Sequence, residues 1–225
     1  MDSAIILMAK QPRAGKTKTR LCPPFTPESA ALLYESLLKD TLELAGGLEG
    51  VLLAVAISPP ESLAYFQQIT PTGTLLLPVE GHTIGVCLER SLVALLERGY
   101  RKALALNTDG PSIPYEYLAQ AVRLLDDHDL VLGPGEDGGY YLVGITQTCP
   151  AIFEDIPWST SAVFARTMAQ AERCRLRTAL TPPWYDVDSP TDVRRLLIEL
   201  NQLPLERLAH TRQFFRQHPM PDHKT

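Results

Sequence analysis

Three stretches of the chain carry residues that could handle a charged substrate. KQPRAGKTKTRL (10–21) holds five basic side chains, Lys10, Arg13, Lys16, Lys18 and Arg20, and no acid, directly after the apolar run AIILMA (4–9). Such a run is often only a solvated face, but open α/β sheets bind ligands where strands end. Gly15-Lys16-Thr17 looks like the close of a Walker A loop, yet Lys10 stands where that loop needs its first glycine. A backbone nest is therefore not expected. The cluster suits instead a small polyanion, such as a nucleotide, met by side chains, each charge-assisted contact contributing about 1.5–3 kcal/mol.

The other two stretches are acidic. Asp109 lies in NTDGP (107–111), at the end of the strand-like KALALN (102–107). It can serve as a turn residue bonding its own backbone, or as a ligand to Mg²⁺ or Mn²⁺, hard cations that take carboxylate and phosphate oxygens together. In YDVDSPTD (185–192), Ser189, Pro190 and Asp192 form a helix start. Asp186 and Asp188 are not needed for that cap, and period-two spacing turns both to one side, where either could complete a metal site with Asp109. Two carboxylates brought that close repel unless a cation intervenes, so water or a basic side chain is expected between them when no metal is bound. A hairpin could account for Asp137 in GPGEDGGYYLVG (133–144), but four glycines in seven residues exceed what a turn requires and let a ligand approach the backbone.

The elements that must position these residues alternate between strand and helix, the pattern of an α/β sheet. AIILMA, VLLAVAIS (51–58), TLLLPV (74–79), KALALN, DLVLGPG (129–135) and GYYLVGI (139–145) read as strands. Helical spacing links Tyr34, Leu38, Leu42 and Ala45 after a Thr26-Pro27 start; Leu88, Leu92, Leu95 and Leu96; Leu118, Ala121, Val122 and Leu125; Phe164, Thr167, Met168 and Ala171; and Val193, Leu196, Leu197 and Leu200. A single domain over residues 1–215 is expected, with a polar, proline-broken, flexible tail at 216–225. The 225 residues are 45% hydrophobic and 21% charged, with net charge −5, which argues against a nucleic-acid binder and makes the basic loop a local exception. Four scattered cysteines suggest packing in a reducing compartment, and no apolar stretch approaches a membrane span, so a cytoplasmic protein is expected.

In chain order, Lys10-x-Pro12-x-x-Gly15-x-x-Lys18-Thr19-Arg20-Leu21, NTDGP, GPGEDGGYYLVG, IPWSTS (156–161) and DVDSPTDV (186–193) resemble a bacterial family of GT-A-fold proteins. Its members are named as arsenosugar-biosynthesis-type glycosyltransferases, formerly a domain of unknown function. They are similar to 2-phospholactate guanylyltransferase and the molybdenum-cofactor guanylyltransferase group. The resemblance implies a Rossmann-like, mostly parallel sheet flanked by helices. It implies nucleotide contacts from Lys10, Pro12, Gly15, Lys18 and Arg20, a metal at Asp109 and Asp188 with Asp186 beside them, and substrate contacts from Asp137, Gly138, Gly139 and Trp158. Two departures are visible: the family's Gly-Ser-Asp-Ser-Pro reads Asn107-Thr108-Asp109-Gly110-Pro111 here, and its Gln-Gly pair reads Glu80-Gly81.

Chemistry of this kind rests on positioning and electrostatics, with no side-chain nucleophile. Glycosyl transfer from a nucleotide-diphospho-sugar to a small-molecule acceptor is the first expectation. Nucleotidyl transfer from a nucleoside triphosphate to a small phosphorylated substrate is the second, and a non-catalytic nucleotide binder the third.

Overall fold

Apolar residues at every position of AIILMA can be buried only by a strand covered on both faces. In the computed structural model, which describes residues 1–220, that segment is the strand β1 (Ser3–Lys10). The chain continues through α1 (Pro27–Gly46), β2 (Val51–Ser58), α2 (Leu63–Ile69), β3 (Leu75–Pro78), α3 (Ile84–Glu97), β4 (Lys102–Leu106), α4 (Tyr115–Leu124) and β5 (Leu130–Pro134). It ends with β6 (Tyr140–Ile145), α5 (Val163–Arg173), β7 (Thr178–Leu180), α6 (Pro190–Leu200) and α7 (Ala209–Gln217). Every strand and helix expected above is present. The short α2 and β7 were not foreseen, and neither was α7.

One seven-stranded sheet has the order β3-β2-β1-β4-β6-β5-β7. All neighbouring strands run parallel except β6, which is antiparallel to both β4 and β5. Alternation along β1 sends Ile5 and Leu7 to one face, against Leu38 and Leu42 of α1, Phe66 of α2 and Leu118 of α4. Ala4 and Ile6 go to the other, against Leu88, Leu92 and Leu95 of α3 and Ala171 of α5. Each fully buried leucine contributes about 1.5–3 kcal/mol, so two such faces on one continuous sheet hold a single α/β domain together. α1 begins where its sequence says it should, with Thr26 Oγ1 accepting from Ser29 N–H at 3.2 Å and Pro27 in the first turn. Among the described residues, no helix is long and apolar enough to cross a membrane.

A third apolar cluster joins α1 through Leu33 and Leu37 to Val193 and Leu196 of α6 and Phe214 of α7. Because α7 runs to Gln217, residues 216 and 217 are helical and not part of the tail expected from 216; the last five positions of that stretch, 221–225, lie outside the described residues. Asp40 of α1 holds the start of α7: it accepts from His210 N–H at 3.0 Å, Thr211 N–H at 2.8 Å and the Thr211 hydroxyl at 2.5 Å. Glu43 and His210 lie beside it as a possible ligand cluster. Asp40's oxygens already satisfy α7's first-turn donors, so the group serves as a helix cap supplied from another helix. Asp40→Ala is expected to lower the unfolding free energy by about 2–3 kcal/mol in urea titration, since it strands buried donors as well as losing the cap.

Candidate active site

The carboxyl edge of the sheet is crossed by residues 181–188, which leave β7 and travel over the end of β5 and past the start of the reversed β6 toward β4. Backbone bonds mark the route: Thr181 N–H to Leu132 O, Trp184 N–H to Pro134 O, and Val187 N–H to Asp109 O at 2.8 Å. The last of these clips the end of β4 to the DVD segment. Gly110 permits the crossing, because a Cβ there would lie 2.8 Å from Tyr185 O. Asp188 is fixed from the other side by the start of α6, where Ser189 and Asp192 form a capping box and Asp192 Oδ2 also accepts from Asp188 N–H. Asp109 and Asp188 thereby come together although 79 positions separate them in the chain.

A basic side chain stands between them, and it is Lys18. Its Nζ lies 2.5 Å from Asp109 Oδ1 and 2.7 Å from Asp188 Oδ1. The side chain is 5% exposed, against 34% and 43% for the two acids. Burial draws the Lys18 pKa down, but the charges of Asp109 and Asp188 outweigh it and hold the ammonium above the ordinary lysine range. The loop delivers Lys18 inward by taking a left-handed conformation at this residue, φ 51°, which costs a non-glycine residue on the order of 1 kcal/mol. Tyr34 of α1 floors the cluster. Its ring lies 5.9 Å from the ammonium, and its hydroxyl is 2.9 Å from Thr108 Oγ1 and accepts from Lys10 N–H at 3.2 Å. Burial and the nearby Asp109 push the Tyr34 phenol up to about 12, so it stays protonated.

Asp186 is the third acid of the cluster and behaves differently. Both its oxygens accept from Asn107 Nδ2, at 2.8 and 2.9 Å. Burial, then the charge of Asp109, raises its pKa from 3.8 to about 7. Lys18 is thus bonded to Asp109 and Asp188, while Asp186 is engaged by Asn107.

Next to this cluster opens a cavity of about 750 Å³. Small residues at strand ends, Ala56 and Ala105, leave the room, and Lys10, Arg20 and Asp188 line one wall. Asp137, Gly139, Tyr140 and Trp158 line the opposite part. Pro12 and Gly15 do not line it; they shape the loop, in which Gly15 adopts φ 71° beside the Arg13 to Lys16 turn. Lys10 and Arg20 reach the cavity, and Arg20 is 77% exposed with Asp188 at 3.5 Å. Gly138, at φ 87°, lets its loop dock on Ser161, where a side chain would collide with backbone, and its carbonyl accepts from Phe164 N–H. Those contacts tie the glycine-rich loop to IPWSTS. Trp158 lies flat on Gly85 at the start of α3 and edge-on to Tyr140 at 6.2 Å. Tyr34 and Asn107 escaped the sequence reading, the first because it fits a helical core stripe, the second because only its neighbour Asp109 carried charge. Ser58, His82 and Thr83 also line the cavity.

A carboxyl whose folded pKa is raised contributes stability below its unfolded pKa, near 3.8, that is lost as pH climbs toward about 7, where the folded protein must accept a buried charge. Asp186→Asn removes that penalty. Its melting temperature should exceed that of the unsubstituted chain by more at pH 8 than at pH 5, the added gain being on the order of 2 kcal/mol.

Comparison with known proteins agrees with this architecture. A protein of known structure from Desulfovibrio desulfuricans G20, described as a proposed nucleotide-diphospho-sugar transferase, superposes with a TM-score of 0.86 at 27% identity, over 96% of this chain and 98% of its own. CMP:2-keto-3-deoxy-manno-octonic acid synthetase in complex with CTP shares the fold at a TM-score of 0.56 and 13% identity, over 89% of this chain and 99% of its own. Rv0371C from Mycobacterium tuberculosis H37Rv, in complex with manganese, shares it at 0.51 and 17%, over 88% and 98%. No curated protein matches the sequence. The family model described as uncharacterized protein conserved in bacteria (DUF2064) matches residues 41–160, more than half of the sequence, and the chain belongs to that family.

Proposed function

We propose that this chain transfers a glycosyl group from a nucleotide-diphospho-sugar to a hydroxyl of a small-molecule acceptor, assisted by a divalent cation. The observation that carries the proposal is the convergence of Asp109 and Asp188 on one cation position at the rim of a cavity large enough for a nucleotide and a small partner. The donor set fits a hard cation: carboxylate oxygens from two elements already meet a positive charge at one point. Asp109 and Asp188 would hold the metal, which when bound neutralises charge on the diphosphate leaving group.

The distribution of charge supports glycosyl over nucleotidyl transfer. On the β1 side of the cavity Lys10 and Arg20 stand ready to meet phosphates, while Lys18 is engaged by the carboxylates as long as no metal is bound. On the β6 side the lining consists of Asp137, Tyr140, Trp158 and the hydroxyls of residues 159–161, with no lysine or arginine among the described residues. A neutral, hydroxyl-bearing acceptor suits that wall better than a phosphorylated one, which would face Asp137. One oxygen of Asp137 accepts from Gly139 N–H at 2.8 Å, and the other remains for an acceptor hydroxyl. In the reaction, the acceptor oxygen bonds to the anomeric carbon as that carbon's bond to the diphosphate oxygen breaks. The electron pair leaves with the diphosphate, and Asp137 takes the acceptor's proton. Nucleotidyl transfer is kept as a second reading because the fold is shared with a synthetase that binds CTP.

A screen of nucleotide-diphospho-sugars and nucleoside triphosphates, with and without Mg²⁺ or Mn²⁺, tests the proposal. Release of nucleoside diphosphate is the expected product signal, and release of pyrophosphate would select the second reading. Asp109→Asn is expected to abolish metal-dependent turnover. Lys10→Ala combined with Arg20→Ala should weaken nucleotide affinity at least tenfold in calorimetry while leaving the melting temperature nearly unchanged, since exposed charges add little stability. Unchanged affinity in that folded double variant would remove the phosphate cradle.

A further inference from the structure

The three charges at the carboxyl edge form a closed arrangement: one ammonium satisfied by two carboxylates, each of which is also a candidate metal ligand. A divalent cation held between Asp109 and Asp188 would compete for the two Oδ1 atoms and for nearly the same point in space that Lys18 Nζ occupies. Both cannot be there, because two positive centres within one carboxylate pair repel strongly. Lys18 has somewhere to go. Its backbone sits in a loop between the left-handed Gly15 and a short 3-10 turn at Thr19–Leu21, and a second hollow of about 320 Å³ opens over the triad, lined by Lys10, Lys16, Lys18 and Arg20 together with Asp109 and Asp188. Basic side chains thus surround the carboxylate pair, within reach of an ammonium that swings away from it.

We propose that Lys18 is the resident counter-cation of the Asp109–Asp188 pair, holding the carboxylates at ligand spacing until a divalent cation replaces it, and that the displaced ammonium then meets the substrate's phosphates. The proposal rests on the metal reading above and adds an order to it: metal entry and release of Lys18 are one exchange. Lys18 is a positioning residue before the exchange and a phosphate contact after it. Tyr34 remains under the carboxylates in both arrangements, so the floor of the site need not move. The exchange keeps the half-exposed carboxylate pair neutralised at every stage, which avoids like-charge repulsion between them.

The test uses Mn²⁺ alone, without nucleotide, and reads binding by electron paramagnetic resonance and calorimetry on the full chain. Lys18→Met should bind Mn²⁺ at least tenfold more tightly than the unsubstituted protein, because the competing ammonium is gone. Its melting temperature should be depressed without metal and rise further on Mn²⁺ addition than that of the unsubstituted chain. Equal Mn²⁺ affinity in the two proteins would overturn the exchange. Should Lys18→Met fail to fold, acetic anhydride labelling of the unsubstituted protein, read by mass spectrometry, decides the matter: Lys18 should be protected without metal and become labelled in saturating Mg²⁺. Protection unchanged by Mg²⁺ at saturation would also overturn the exchange. Failure of the metal reading looks different. Neither protein would then bind Mn²⁺, while nucleoside diphosphates still raised the melting temperature of the unsubstituted chain, and the exchange would fall with it.

Discussion

The Asp109–Lys18–Asp188 ion triad is the interaction on which the arrangement of the site depends. Three segments from distant parts of the sequence end there: the loop after β1, the turn after β4, and the strip that crosses the sheet edge before α6. Two carboxylates at that spacing would push those segments apart, and one ammonium reverses the sign of the contact. The left-handed backbone at Lys18, the close passage at Gly110 and the backbone bond from Val187 to Asp109 all serve that meeting. Local strain persists only where the surroundings over-determine it, and here the surroundings are two ion pairs that share one buried ammonium.

Fold physics explains why the triad forms at this edge. Parallel strands bring their carboxyl ends to one side, and the residues that follow them are free of the ladder and can turn toward one another. β1 delivers Lys10 and the basic loop, and β4 delivers Asn107 and Asp109. β7, although three residues long, starts the strip that carries Asp186 and Asp188 back across the sheet. The helix cap at Ser189 then stops the strip at the right place. The two apolar faces of the sheet contribute nothing directly to chemistry, but they fix the strand ends to which the charged residues are attached.

Much of this was legible in the residues. Continuous apolar runs and 3.6-residue spacing located six of the seven strands and five helices, and acids at strand ends and turns pointed to Asp109 with either Asp186 or Asp188, of which the family resemblance favoured Asp188. That water or a basic side chain would stand between two such carboxylates followed from electrostatics, and the structure places Lys18 there. What could not be read depended on tertiary contact. Lys18 looks like its basic neighbours until the backbone turns it inward, since a positive φ at lysine has no local signature. Tyr34 sits in an apolar stripe and reads as core, although its hydroxyl reaches Thr108. The helix α7 has few apolar residues and is held at its start by Asp40, 170 positions away, which no window of sequence reports. Likewise, a three-residue strand such as β7 is too short to show a period.

The reversed strand β6 has a consequence for the division of labour in the cavity. Because it runs against its neighbours, its beginning lies at the edge where the others finish, with Leu142 opposite Leu106. The glycine-rich hairpin before it therefore lands beside the carboxylates, while its end leaves from the far edge and the chain must return before it can present Trp158. The β6 wall is thus made of two independent excursions, whereas the opposite wall consists of loops rooted directly in the parallel strands. Changes of length or composition in either excursion can reshape what the cavity accepts without disturbing the strand ends that hold the charges. A scaffold wired in this way can change partners while keeping its electrostatics.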